Sequence, residues 1–150
     1  MHHHPRLATR DDLSAVEEVV RAAYTHYVPR IGREPAPMLD DYGVLIERER
    51  VYVAEHGGAV QGILVLIPEQ HSMLLDNVAV APEAQGLGLG RRLLEFAEHN
   101  AIVRGYRSIR LYTNELMTEN IALYFRIGYS ETHRSEKKGL RRVYMSKRLA

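Results

Sequence analysis

Cysteine is missing altogether from this 150-residue chain. That excludes disulfides, a thiol nucleophile and cysteine-ligated zinc, and it fits a reducing compartment. Long hydrophobic runs are missing too. None approaches the ~18 residues that a membrane span needs, and no secretory leader pattern opens the chain. A cytoplasmic protein with no membrane partner is the expectation. Neither sign of charge dominates: 20 basic and 19 acidic residues give a formal net charge of +1. That balance carries no nucleic-acid footprint, and the locally basic stretch from Arg134 to Arg148 reads as a solvated strand face. Repeats, linkers and low-complexity tracts are absent as well. With 45% hydrophobic and 26% charged residues, the chain reads as one compact domain. His2, His3 and His4 read as the remnant of a purification tag rather than a metal site, which places the domain at residues 5–150. No metal is expected.

What is present is a regular alternation of element signals. "RLATRDDLSAVEEVVRAAYTHYV" reads as a short strand and then a helix. Thr9 and Asp12 have capping-box spacing, and Leu13, Val16, Val20, Ala23, Tyr24 and Tyr27 form one helical stripe. Pro29, Pro35 and Pro37 predict an ordered loop with no long helix, and "LDDYGVLIERE" a short second helix. "VYVAEH" and "AVQGILVLI" flank Gly57-Gly58 as a hairpin. "MLLDNVAVA" is nearly continuous in apolar character and reads as a central strand. An amphipathic helix follows, with Leu89, Leu93, Ala97 and Ala101 inward and Gly105 as its stop. "SIRLYT" is a strand, and "TENIALYFRIG" a helix capped by Thr118 and ended by Gly128. "YSETHR" and "LRRVYMSKRL" close the fold as an antiparallel pair. The order β-α-α-β-β-β-α-β-α-β-β predicts an α+β domain, its mixed sheet mostly antiparallel around one strand–helix–strand unit.

At the centre of that unit stands "VAVAPEAQGLGLGRRLLEFAEH", with glycines at 86, 88 and 90 between strand and helix. A helix start gathers unpaired N–H groups at the positive end of the helix dipole, and glycines let an anion approach them closely. Arg91 and Arg92 sit in the first helical turn, where a bound anion would offset their unfavourable charge. A P-loop is disfavoured, because Arg91 and Arg92 stand where lysine and serine or threonine are needed. A dinucleotide fingerprint begun at Gly86 and Gly88 needs its third glycine where Arg91 stands. A phosphate cradle on another fold and a purely structural turn both remain.

Gln85-x-x-Gly88-x-Gly90 after "VAVAP" resembles the [Q/R]-x-x-G-x-[G/A] signature of the GNAT superfamily of acyl-CoA-dependent N-acyltransferases. "ATRDDLSAV" is similar to that family's first strand and helix. "ENIALYFRIGY" is similar to its late helix, with Tyr124, Gly128 and Tyr129 as the signature residues. The resemblance covers about residues 6 to 149. It implies a single GNAT-like domain with helices on both faces of the sheet, and acetyl-CoA as cosubstrate. It places the pyrophosphate on Gln85, Gly86, Gly88, Leu89 and Gly90 beside Arg91, and the pantetheine arm along Val78, Ala79 and Val80. In the family that strand is splayed from its neighbour by a bulge. The resemblance also implies Tyr124 as the acid that protonates the departing thiolate, with Asn120 one turn earlier on the pantetheine. Met117 departs from the family, which often has asparagine there. A homodimer is allowed.

An amine nucleophile has to lose a proton, since a free alkylamine has a pKa of ~10.4. Asp76 stands in an apolar strand, on the face shared with Val78 and Val80 by simple alternation, and is the candidate base; pairing with an arginine is its alternative. Glu115 and His71 are further candidates. The acceptor is expected among Tyr24, Tyr27, Arg30, Arg33, Asp40, Asp41 and Tyr42, with arginines for a substrate carboxylate and aspartates for an amine. The expected function is N-acetyl transfer to a primary amine of a small molecule, amino acid or peptide by direct attack. A non-catalytic acyl-CoA sensor and a nucleotide-binding protein are the alternatives.

Overall fold

The computed structural model describes residues 4–149, so His2 and His3 of the histidine run lie outside the described residues. Seven strands form one sheet in the order β1-β2-β3-β4-β5-β7-β6. They are β1 (Arg6–Leu7), β2 (Val51–His56), β3 (Ala59–Pro68), β4 (Met73–Val80), β5 (Ser108–Asn114), β6 (Ser130–Lys137) and β7 (Leu140–Arg148). Only β4 and β5 run parallel; the other neighbours are antiparallel. The helices are α1 (Leu13–Tyr24), α2 (Val28–Ile31), α3 (Tyr42–Glu47), α4 (Leu89–Val103) and α5 (Thr118–Ile127).

The apolar stripes decide which face each helix covers. Val16, Val19, Val20, Ala23 and Tyr24 of α1 pack with Val51, Val53, Ile63, Val65 and Ala79 on one face. Leu89, Leu93, Leu94, Ala97 and Ala101 of α4 pack with Leu64, Leu66, Leu75 and Val78 on the other. Gly62 lets α4 lie close, because a Cβ there would come within 2.9 Å of Leu93 Cδ1. The expected element order holds, with one addition. Pro29 falls in the first turn of a four-residue helix that Gly32 ends at φ 88°, so the proline-rich segment starts as α2 before becoming loop.

Caps match in part. Asp12 accepts the Thr9 N–H at 2.8 Å and is held by both guanidinium nitrogens of Arg6, at 2.8 and 3.1 Å. Gly105 and Gly128 end α4 and α5 in the left-handed region. Thr118 does not cap α5. It is the helix's first residue, and its hydroxyl donates to Glu119. The turn before the helix is ordered instead by Asn114, whose Oδ1 accepts the Leu116 N–H at 2.8 Å.

Two irregularities in the sheet create the site. In the β3–β4 ladder Val65 pairs with Asn77 and Leu66 with Leu75, leaving Asp76 as the extra residue of a bulge. Met73 and Leu75 face the α4 layer, and so does Val78, three residues on rather than two. Asp76 therefore does not share the face of Val78 and Val80, as alternation predicted; the bulge shifts the side-chain parity at that point. In addition, β4 and β5 pair only at Met73↔Ile109 and Leu74↔Arg110. Beyond that, β5 stays with β7 as far as Asn114, while β4 runs on to Val80 beside β3. The two strands part, and a cleft opens between them.

Candidate active site

Two cavities meet where β4 leaves β5. The larger, about 490 Å³, is bounded by the β4 end, the glycine turn, the end of α1 and the start of α5. Val78, Ala79, Val80, Gln85, Gly86, Gly88, Leu89, Gly90, Arg91 and Asn120 all line it. The first helical hydrogen bond of α4 runs from Arg92 N–H to the Gly88 carbonyl at 3.0 Å. The N–H groups of Gly88, Leu89, Gly90 and Arg91 precede it and have no helical partner. Gly86 and Gly88 hold φ of 85° and 83°, and a Cβ on either would meet nothing of the protein within 4 Å. Their left-handed backbone aims the turn's amides at open cleft, which suits an anion. Gln85 Nε2 ties the turn to the Val80 carbonyl at 3.2 Å. Arg91 has a loose, exposed contact with Glu95 at 3.6 Å, so its charge stays available.

The smaller cavity, about 110 Å³, lies under the Pro35–Asp40 loop and the start of β7. Asp40, Asp76, Asn77, Tyr112, Asn114, Tyr124 and Arg142 give it polar walls, and Leu75, Met117 and Leu140 apolar ones. Tyr24 and Asn120 line both cavities and mark their junction. The Tyr24 hydroxyl donates to Asn77 Oδ1, Asn77 Nδ2 donates to the Tyr42 hydroxyl at 2.8 Å, and Tyr42 donates to the Pro37 carbonyl. This chain locks β4 to α1 and to the loop above the cavity. Asn77 and Tyr112 were not singled out from sequence; the polar pair Asp76-Asn77 inside an apolar strand was the available signal.

The electrostatics favour acid–base chemistry. Burial pushes the Asp76 carboxyl up, with Glu69 adding to the effect and Arg142 opposing it. Asp40 sits on an exposed residue at the rim, yet its carboxyl faces the cavity. Lost hydration, then the charge of Asp76, raise it to about 6. Burial also raises the Tyr124 phenol, keeping it protonated at neutral pH. Its hydroxyl has no hydrogen-bond partner among the described residues, unlike that of Tyr24.

Other sequence candidates lie elsewhere. Tyr27 lines the larger cavity only. Arg30 and Arg33 line neither. Arg30 is held by Glu119 at 2.6 and 3.2 Å, and Arg33 donates to the Lys138 carbonyl at 2.6 Å. Both stitch the α2 region to neighbouring segments. Asp41 caps α3 by accepting the Val44 N–H, and Glu115 is paired with Arg141 at 2.7 Å. Among the described residues, no three His, Cys, Asp or Glu side chains gather closely enough to hold a metal ion.

A family model for the acetyltransferase (GNAT) domain matches residues 47–131, from the end of α3 into β6. The chain belongs to this family. Among curated relatives, the 5-NmdU N-acetyltransferase of Pseudomonas phage PaMx11 is 33% identical over 82 residues. That match covers 53% of this chain and 56% of the phage enzyme, so the chain spans about half the length of that relative. Among solved structures, the ribosomal-protein-alanine N-acetyltransferase of Brucella melitensis is 28% identical with a TM-score of 0.75, covering 97% of this chain and 99% of the other. The PaiA N-acetyltransferase of Thermoplasma acidophilum, solved with coenzyme A, has a TM-score of 0.84 at 19% identity, with 99% of each chain covered. At that identity the likeness is one of fold, and the seven-stranded GNAT architecture is shared along the whole chain.

Proposed function

We propose that this GNAT domain is an N-acetyltransferase that moves an acetyl group from acetyl-CoA to a primary amine in a ternary complex. The observation that carries the reading is the junction at Tyr24 and Asn120, where an amide-lined cleft meets a cavity holding two raised carboxylates and a free phenol. The residues fit the cofactor: the N–H groups of Gly88, Leu89, Gly90 and Arg91 would hold the pyrophosphate, and the freed edge of β4 at Val78–Val80 would pair with the pantetheine amides. When bound, acetyl-CoA supplies an activated thioester.

The chain's own groups do the rest. Negative carboxylates at the cavity mouth draw in a cationic amine. Asp76, with Asp40 beside it, takes one proton from the ammonium and passes it to solvent, leaving the nitrogen lone pair free to attack. Tyr124 gives its phenolic proton to the departing thiolate, and the second proton lost by the nitrogen restores the phenol. Over the cycle one C–N bond forms, one C–S bond breaks, and one proton is released. The cavity walls would hold amine and thioester together, which contributes through proximity and orientation.

The direct experiment combines calorimetric titration with acetyl-CoA and a thiol-release assay over a panel of primary amines. Binding followed by amine-dependent thiol release supports the transferase. Binding with no release for any amine would favour an acyl-CoA sensor, and absence of binding would remove both readings.

A further inference from the structure

The small cavity contains a cation that the transfer chemistry does not use. Arg142 lies near the start of β7, opposite Asn114 of β5, and its guanidinium sits 4.5 Å over the Tyr112 ring. Three other basic residues of the hairpin are matched with carboxylates: Arg141 with Glu115, Arg134 with Glu131, Lys147 with Glu98. Among the described residues, Arg142 has no carboxylate within ion-pair distance, although its residue is half-buried and lines the cavity. Stacking on Tyr112 and a hydrogen bond to the Tyr144 hydroxyl fix the guanidinium plane, and its remaining N–H donors are available for a planar anion.

We propose that Arg142 reads the carboxylate of the acceptor, and that the acceptor is a small free amino acid. This rests on the transferase reading above. An amino acid carries an ammonium and a carboxylate only two or three bonds apart, and the cavity offers both complements. The aspartates, Asp76 and Asp40, face the ammonium, and Arg142 faces the carboxylate. Size limits the choice. A cavity of about 110 Å³ is smaller than the ~150 Å³ that accommodates benzene in an engineered core. The part of the acceptor that enters this cavity is therefore small, as in glycine, alanine or β-alanine. Pro35, Pro37 and Leu140 form part of its walls. The sequence suggests Arg30 and Arg33 for a substrate carboxylate; the proposal moves that contact to Arg142, which lines the cavity.

The test pairs each amino acid with its amide: glycine with glycinamide, and alanine with alaninamide. The amide keeps more free amine at neutral pH, so intrinsic reactivity works against the expected result. The chain is expected to favour the amino acid in kcat/KM by about tenfold or more, carried mainly by KM, as one charge-assisted contact implies. In Arg142→Gln the ratio should fall to near one, while Arg141→Gln, on the adjacent surface position, keeps it. Calorimetry of N-acetylglycine against N-acetylglycinamide reads the same contact without turnover, and thermal melts check that each variant folds. An amide turned over as well as its acid, or a preference that survives Arg142→Gln, overturns the proposal. Silence of the unaltered chain with every amine would instead sink the transferase reading. Product binding would then still decide whether Arg142 selects a carboxylate.

Discussion

Gly88, just before α4, and Gly90, the second residue of that helix, should respond to alanine in opposite ways. At Gly88 the backbone is left-handed, φ 83° and ψ 7°. Alanine there costs about 1–2 kcal/mol in conformational strain, offset by about 0.4–1 kcal/mol from a less flexible unfolded chain. The net loss is ~1 kcal/mol, which lowers the Tm by roughly 2–4 °C for a domain of this size. Gly90 is helical, and its added Cβ would meet Val80 Cγ2 at 3.7 Å, an ordinary packing contact. Gly90→Ala should therefore stabilise the domain by about 0.5–1 kcal/mol. Binding separates the two further. The Cβ of Gly88→Ala projects into the open cleft that the anion is expected to occupy, whereas that of Gly90→Ala packs on β4. Calorimetry with coenzyme A should show at least tenfold weaker binding for Gly88→Ala, and affinity within about threefold of the parent for Gly90→Ala. Equal affinity in the parent and both variants would refute the cradle and reduce the turn to a structural element. Equal loss in both would show that the anion sits elsewhere on the helix start.

Tyr124→Phe removes only a hydroxyl without a protein partner, so its Tm should hold, while kcat falls by roughly 100-fold with coenzyme A affinity unchanged; an unchanged kcat would remove Tyr124 as the acid. Asp40, raised to about 6 from its ordinary 3.8, binds its proton more tightly folded than unfolded, so stability is lost as pH rises from about 4 to about 6. Asp40→Asn should then be more stable than the parent at pH 8 by about 1 kcal/mol, discounted for the solvent-open rim, and equal to it near pH 3.5, read from urea midpoints. Asp12, held at about 2 by the Arg6 guanidinium, behaves oppositely. Its contribution is present above pH 4 and lost as pH falls through 2, so Asp12→Asn should cost about 1–2 kcal/mol at pH 7 and almost nothing near pH 2.

The parts of this molecule that follow from local spacing could be read directly from the chain. The glycine turn, the stripe on α1, the Gly105 and Gly128 stops and the hairpin at Gly57-Gly58 each depend on residues within one or two turns of one another. The function of an arginine does not. Arg30, Arg33, Arg141 and Arg142 are chemically identical in sequence, and what separates them is which groups the fold brings near. Glu119 reaches Arg30 from 89 residues away, and the Lys138 carbonyl reaches Arg33 from 105. Arg142 is left with two tyrosines and a cavity.

The bulge at Asp76 turns the candidate base off the face that alternation predicts for it. Alternation assigns Asp76 and Asn77 to opposite faces of β4, and both faces are apolar. Two adjacent polar residues in a strand covered on both sides therefore conflict with regular pleating, since one of them would have to enter the α4 core. The structure resolves the conflict by dropping Asp76 out of the ladder, so that both side chains line the same small cavity. Asn77 anchors there through Tyr24 and Tyr42, and Asp76 lines the small cavity. The cost of burying a polar pair thus explains the bulge, and the bulge in turn sets the direction of the candidate base. An Asp76→Val, Asn77→Val double variant should relieve this conflict, restore regular pairing between β3 and β4, and close the cavity. Amide exchange should then slow across Val65 and Leu66 while acetyl transfer is lost. Unchanged exchange at those two residues would show that the bulge is held by the strands' departure from β5 rather than by its polar pair.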